Sequence, residues 1–321
     1  MTVVKDQPVR SDSHRTASAR RLAVTVLRGG PSRERAVSLQ SGAAVAVALE
    51  SAGYDVVQTD ISPDSLSALD RRADVVFVAL HGQFGEDGDV QRLLEQRGLC
   101  YTGSNSAACA LAMNKAAAKR RFIEVGLPTP RFDVATADDV RCALAAWTLP
   151  LVVKPVREGS SIHCHIVRDV IELRPAAEQV IAEYGEALIE EYIPGLELTV
   201  GILGDEALPP IEIRPAAEFY DYHAKYESDD TRYSFDIALP ENLLRELGEM
   251  SLAAHRALGC RDFSRVDWRV DPHSGRPYIL EVNSIPGFTS HSLLPMAARR
   301  RGMDMPELCR RIVEMALRRG A

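Results

Sequence analysis

Residues 75–80 read Val-Val-Phe-Val-Ala-Leu and run without a polar break into His81-Gly82. A strand that apolar has no face for water, so it belongs inside a parallel sheet covered by helices on both sides. The preceding segments supply the other parts. Strands are expected at 22–27 and 54–59, separated by the turn Arg28-Gly-Gly-Pro-Ser32 and a helix over 37–52. The small residues of that helix at 43–48 suit close packing on a sheet. This alternation predicts an α/β fold, α+β in part, that begins with a doubly wound, Rossmann-like unit. Ligands of such units sit beyond the C-terminal ends of the strands, and both Gly29-Gly30 and His81-Gly82 fall there.

Further along, a helix is expected at 90–96, a short strand at 100–102 and one continuous helix from about 106 to 125. The run Gly126-Leu-Pro-Thr-Pro130 breaks the pattern. A second unit reads as helix 137–147, strand 151–156, loop 157–161, helix 170–184 and strand 187–193. A third has strands 197–203 and 208–213, an aromatic loop at 219–226, a long helix over 241–258, a hairpin and two terminal helices. The expected division is a disordered tail at 1–20 and units at 21–104, 105–193 and 194–321. A chain of 321 residues has room for three such cores. A net charge of -7 without a long basic run beyond the N-terminus argues against nucleic acid as a partner. No apolar run reaches the length of a membrane span, and the tail lacks the apolar stretch of a signal peptide. The six cysteines show no CxxC and no regular spacing, as expected of reduced thiols in a cytoplasmic protein.

Chemistry concentrates in four places. The first is the hairpin, Phe263-Ser-Arg-Val-Asp-Trp-Arg-Val270 and Tyr278-Ile-Leu-Glu-Val-Asn283 around the connection Asp271-Pro-His-Ser-Gly275. Glu281 and Asn283 are two apart and share a strand face, which Asp267 and Arg265 reach from the partner strand. Two carboxylates and an amide are hard oxygen donors, suited to Mg²⁺ or Mn²⁺ and not to zinc. The second is Arg157-Glu-Gly-Ser-Ser161 after a strand, small residues whose backbone N–H groups can cover a polyphosphate, with Lys154 at the strand end and Lys115 on the preceding helix placed to offer charge to phosphates. The third is the acidic pair Glu190-Glu191 within an otherwise apolar strand, with Glu197 after Pro194-Gly195; these carboxylates can accept from an adenine amine and ribose hydroxyls. The fourth is the aromatic, polar loop 219–226, a packing loop or a lid that excludes water. Read singly, the first three also fit a solvated hairpin face, a surface turn and an exposed edge strand.

Taken together these segments resemble the D-alanine–D-alanine ligase family of ATP-grasp enzymes, from about residue 22 to 317. The matching pieces are Ser32-Arg-Glu-Arg-Ala-Val-Ser-Leu39 with Ser41-Gly42, His81-Gly-x-x-Gly-Glu-Asp-Gly88, Tyr101-Thr-Gly-Ser104 leading to Met113-Asn-Lys115, and Lys154-Pro with Glu158-Gly-Ser-Ser161. They continue with Phe219-Tyr-Asp-Tyr-x-Ala-Lys-Tyr226, Arg265-Val-Asp267, and Glu281-Val-Asn283 with Pro286-Gly-x-Thr-Ser-His-Ser-Leu293. The resemblance implies a three-domain ligase that forms D-alanyl-D-alanine for peptidoglycan through an acylphosphate. It implies ATP contacts from Lys115, Lys154, Ser161, Glu190, Glu191, Ile193, Glu197 and Lys225. Two Mg²⁺ or Mn²⁺ ions are implied on Asp267, Glu281 and Asn283. Glu34 and His81 are implied at the first D-alanine, Ser292 and Leu293 at the second, and Arg265 with the Gly287 N–H at the oxyanion. Glu34, Ser160 and Tyr226 are expected to hydrogen-bond one another, and the assembly to be a homodimer.

Three departures stand out. His163 occupies a position where the family pattern has glycine, so a left-handed backbone there would be strained. Ala36 replaces a glutamate, and Ser284-Ile285 replaces Thr-Ser. The rival readings are a ligase taking D-lactate or another acceptor, against which Tyr226 speaks, and a silent nucleotide-binding relative, against which the metal trio and both lysines speak.

Overall fold

A computed structural model describes residues 20–140, 144, 147–214 and 231–320. Strand β1 (Ala23–Gly29) leads through the glycine turn into helix α1 (Arg35–Ser51), and β2 (Asp55–Ile61) and β3 (Val75–Val78) follow. The three strands are parallel in the order β2-β1-β3, as the alternation predicts. Helix α1 lies close on the sheet because Gly42 has no side chain: a β-carbon there would stand 2.6 Å from Cβ of Arg28. Ser38 pins the same contact, accepting from the Gly29 N–H at 2.9 Å and donating to the Ala79 carbonyl at 2.7 Å.

Helix α2 (Asp89–Gln96) comes next, and the strand expected at 100–102 reduces to one bridge between Tyr101 and Val76. The continuous helix expected over 106–125 is two helices, α3 (Ser106–Met113) and α4 (Lys115–Glu124). The break is at Asn114, whose backbone is extended and whose carboxamide accepts from the Ala117 N–H at 3.0 Å. An asparagine N-cap inside a helical pattern restarts the helix, and here it sets Lys115 at a positive helix end, its N–H on the Val156 carbonyl.

The central sheet is antiparallel in the order β4-β7-β5-β6: β4 (Phe132–Thr136), β5 (Leu151–Pro155), β6 (His165–Val167) and β7 (Glu186–Glu191). Helix α5 (Val170–Tyr184) covers it and shares with it a core of Leu151, Val153, Leu173, Ala177, Val180 and Ile189. Strands β4 and β6 carry too little apolar alternation to be legible beforehand. The helix expected at 137–147 and the tail fall partly outside the described residues, and the aromatic loop at 219–226 wholly so.

The third sheet, also antiparallel, contains β8 (Leu196–Leu203), β9 (Glu206–Ala207), β10 (Ile211–Arg214) and β11 (Arg232–Ser234). After α6 (Glu241–Ala257) come the hairpin strands β12 (Phe263–Val270) and β13 (Pro277–Asn283). Its order is β11-β10-β8-β12-β13, with β9 on β8. Helices α7 (Leu293–Arg300) and α8 (Met305–Arg319) then return to the first sheet: Leu294, Leu308, Ile312 and Val313 share one core with Val26, Phe77 and Leu80. Phe288 seals the joint, its ring edge-on to Phe77 at 5.4 Å and to Phe263 at 5.6 Å. No described helix is long and apolar enough to cross a membrane.

Candidate active site

The loops after β1, β3 and β5 and one face of the hairpin converge on a cavity of about 270 Å³. Glu34, Ser160, Arg265, Gly287, Ser292 and Leu293 line it. A narrower chamber of about 90 Å³ lies beside it, lined by Lys154, Ser161, Glu190, Glu191, Ile193, Glu197 and Asp267. Lys115, Glu158, Gly159 and Glu281 line both. The two spaces therefore meet at the Lys115–Glu281 ion pair, 3.0 Å long.

On the hairpin, Asp267 lies directly across from Glu281 and Arg265 across from Asn283. The shared face is produced by a bulge: Asp267 pairs with Glu281 but Trp268 with Ile279, so Leu280 is extra. Ile279 thereby turns into the core, fully buried, while Leu280 and Glu281 both line the narrower chamber. Arg265 clamps Asp267 with two hydrogen bonds of 2.9 and 2.7 Å, and Thr199 donates to the same carboxylate at 2.6 Å. Cations thus already sit on both carboxylates, and the donor set fits a hard divalent ion.

In the narrower chamber Glu190 is almost fully buried between two lysines, Oε1 with Lys154 at 2.5 Å and Oε2 with Lys119 at 2.9 Å. Burial favours the neutral acid, but the two ammonium groups outweigh it and hold the Glu190 carboxyl below its ordinary range. Lys154 is affected in the opposite sense: burial opposes its charge, yet Glu190, Cys164 and Glu281 raise it. Glu197 pairs with Arg269 at 3.1 Å, and Arg269 also holds the Ile193 carbonyl.

Glu34 is buried against the phosphate loop. The Ser160 hydroxyl donates to its carboxylate, and β-carbons on Gly82 and Gly159 would come within 2.8 and 3.1 Å of its Oε2. Gly82 in addition has a φ of +66°, so no larger residue fits either requirement. His81 lies just behind, its Nε2 3.0 Å from the Ser41 hydroxyl and its Nδ1 shared between the Ile285 carbonyl and Glu86. Burial pulls the imidazole down, but Glu86 and Glu34 more than offset it and the net shift is upward. Burial also raises Glu86, to about 7, against the pull of His81.

At the far wall, a β-carbon on Gly287 would stand 2.6 Å from the Ser292 hydroxyl, so a larger residue here would displace that side chain. Ser292 accepts from the Thr289 N–H at 2.9 Å and precedes Leu293 at the start of α7. In the phosphate loop Ser160, Ser161 and His163 all have positive φ, 51°, 56° and 51°. The left-handed backbone anticipated at 163 is present. The imidazole is anchored away from the chamber, 2.9 Å from Glu183 and edge-on to Tyr184.

The structure thus brings together every anticipated site residue except Lys225 and Tyr226, which lie outside the described residues. Sequence reading passed over Lys119, Glu86 and Thr199. Lys119 had a usable signal, since it follows Lys115 by four residues on one helix face; a threonine inside a strand carried none.

Two family models match the chain, "D-ala D-ala ligase N-terminus" over residues 61–104 and "D-ala D-ala ligase C-terminus" over 122–314. The D-alanine–D-alanine ligase of Dechloromonas aromatica (strain RCB) is 47% identical over 294 residues, covering 91% of this chain and 97% of that protein. That of Anaeromyxobacter sp. (strain K) is 44% identical over 297 residues, covering 91% and 96%. Among solved structures, the D-alanine–D-alanine ligase from Bacillus anthracis complexed with ATP superposes with a TM-score of 0.81 at 35% identity, covering 92% and 98%. The VanG D-Ala:D-Ser ligase from Enterococcus faecalis gives 0.82 at 27%, covering 92% and 100%. With both halves of the cavity, the ordered motifs and relatives of this identity over nearly its whole length, the chain belongs to the D-alanine–D-alanine ligase family.

Proposed function

We propose that this protein joins two molecules of D-alanine at the expense of ATP, giving D-alanyl-D-alanine, ADP and phosphate. The observation that carries this reading is the meeting of an amino-acid-sized cavity and a carboxylate- and lysine-lined chamber at Lys115 and Glu281. Phosphoryl transfer between a nucleotide and an amino acid needs such a junction.

A carboxylate is a poor electrophile, so its oxygen first attacks the γ-phosphorus, ADP leaves, and an acylphosphate forms. Lys115 and Lys154 offset charge on the phosphates, with the Ser161 backbone and Lys225 as further contacts. Glu190, Glu191 and Ile193 hold the adenine and Glu197 the ribose. Asp267, Glu281 and Asn283 would hold Mg²⁺ or Mn²⁺, two ions per site, which when bound neutralise the transferring phosphoryl group. Glu34 orients the ammonium of the first D-alanine, with His81 behind it. Ser292 and Leu293 seat the carboxylate of the second. Its amine, once neutral, attacks the acyl carbon; Arg265 and the Gly287 N–H stabilise the oxyanion, and phosphate departs. The Glu34–Ser160 hydrogen bond ties the phosphate loop to the amino-acid site, and Tyr226 completes that network. The closed loops keep water from the acylphosphate. The proposed setting is a cytoplasmic homodimer, where ATP is available.

The test is phosphate release from Mg-ATP with D-alanine, L-alanine, D-serine or D-lactate, with the product identified by mass. D-alanyl-D-alanine should dominate. A product of D-alanine with D-serine or D-lactate formed at equal or higher kcat/KM would replace this reading by that of a ligase with another acceptor.

A further inference from the structure

Behind the wall of the nucleotide chamber, Lys119 on α4 is fully buried. Its ammonium lies 2.9 Å from Glu190 Oε2 and donates to the Thr129 hydroxyl at 2.7 Å. The Phe132 ring centroid is 5.7 Å away. Thr129 in turn donates to the Ile279 carbonyl at 2.8 Å, and the Ile279 N–H donates to the Pro128 carbonyl at 2.9 Å. Ile279 is the residue next to the bulge that turns Glu281 into the site. A chain of contacts therefore runs from the base-binding carboxylate, through a buried cation, to the strand that carries the metal ligands.

Glu190 faces two lysines, where one cation suffices to pair a buried carboxylate. The surplus has a use once a nucleotide is present. Lys154 is the lysine that borders the chamber, whereas Lys119 is not among its lining residues, so phosphates can draw Lys154 away and leave Glu190 dependent on Lys119. A buried carboxylate without a cation takes up a proton. An ionised carboxylate only accepts hydrogen bonds, whereas the protonated acid can also donate. The ionised form therefore favours the exocyclic amine of adenine and repels the carbonyl oxygen that guanine presents at the same place.

We propose that Lys119 is a positioning residue that sets base preference: it keeps Glu190 ionised and turned to the chamber while Lys154 serves the phosphates, and through Thr129 it holds the base site in register with β13. This rests on the reading of Glu190 as the adenine contact, but it can be tested by nucleotide binding alone, without ligation. In titrations of the full chain with Mg-ATP and Mg-GTP, Lys119→Met should weaken ATP binding about tenfold or more and narrow the ATP-to-GTP ratio by a similar factor, the scale of losing one charged hydrogen-bond partner. The KM for D-alanine should not change. Thr129→Val keeps both charges and carries the test if Lys119→Met is not recovered folded; it should weaken ATP about threefold, with a smaller narrowing of the ratio. A lowered melting temperature with an unchanged ATP-to-GTP ratio, in whichever variant folds, overturns the proposal and leaves Lys119 a purely structural residue. Failure of wild-type protein to form dipeptide, with ATP preference intact, would count against the ligase reading instead.

Discussion

At position 163 two effects of comparable size oppose each other. A β-carbon in the left-handed region costs roughly 1–2 kcal/mol, and His163 has a φ of 51°. Against this, its imidazole meets Glu183 at 2.9 Å with both side chains partly exposed, a contact worth at most about 1 kcal/mol. The edge-on Tyr184 ring contributes a similar amount. Glu183 also receives Arg33 at 2.9 Å on its other oxygen, so the histidine anchors the phosphate loop to α5 and, through it, to the loop that carries Glu34. Substituting glycine removes strain and anchor together, whereas alanine removes only the anchor. The ATP KM of His163→Gly should therefore stay within about twofold of wild type, while that of His163→Ala rises about fivefold, the equivalent of ~1 kcal/mol. Steady-state kinetics of the two variants decide it; equal values would mean that the backbone strain does not reach the nucleotide, and wild-type values in both that the anchor does not either.

Elements were legible in the sequence where periodicity and apolar content alone decide them, and illegible where a single backbone choice does. The three parallel strands, α1 and the hairpin are examples of the first kind. The bulge at Leu280 is of the second: a period-two reading does place Glu281 and Asn283 on one face, but it puts Ile279 there too, and only the ladder reveals that Ile279 has turned inward. The Asn114 break is intermediate, since the cap residue was visible and the helical pattern around it outweighed it. Among the site residues passed over, Glu86 lies in the charged 81–88 loop and lines the cavity, and Lys119 follows Lys115 by one helical turn, so both carried a signal; Thr199 inside its strand carried none. The 81–88 loop has a consequence of its own. Glu86 is buried on His81 and held up to about 7, from an ordinary 4.5, and His81 shifts upward as well. A raised folded-state pKa means that the folded state binds more protons between those values. The associated stability is complete below about pH 4.5 and is lost as pH rises through about 7. Wild type should thus lose on the order of 2 kcal/mol more than Glu86→Gln between pH 5 and 8. Urea midpoints of both proteins across that range measure it, and parallel curves would reject it.

Over the whole molecule, the chain closes on itself. The first sheet has no complete core of its own, because Val26, Phe77 and Leu80 are covered by α7 and α8 from the end of the chain. The central sheet has a separate core under α5. One physical body therefore combines the β1 and β3 loops, which present Glu34 and His81, with the Gly287–Leu293 segment, which presents the far wall of the cavity. The central sheet is the other jaw, touching this body through Ser160–Glu34 and Arg33–Glu183. Phe288 is where the first body is joined. Its ring is buried against Phe77 and Phe263, its N–H donates to Ser41 at 3.1 Å, and Ser41 faces His81. Truncation to Phe288→Ala should destabilise this body by about 3–5 kcal/mol and loosen Gly287 and Ile285 beside it. Amide exchange should then quicken in β1, β3 and α8, which draw on the shared core, while β5 and β7 keep their protection. The turnover number should fall as well, because the Gly287 wall of the cavity and the His81 acceptor at Ile285 both adjoin that ring. Uniform acceleration across β5 and β7 would instead mean that the two cores unfold as one, and unchanged exchange in α8 would mean that Phe288 does not join the ends of the chain.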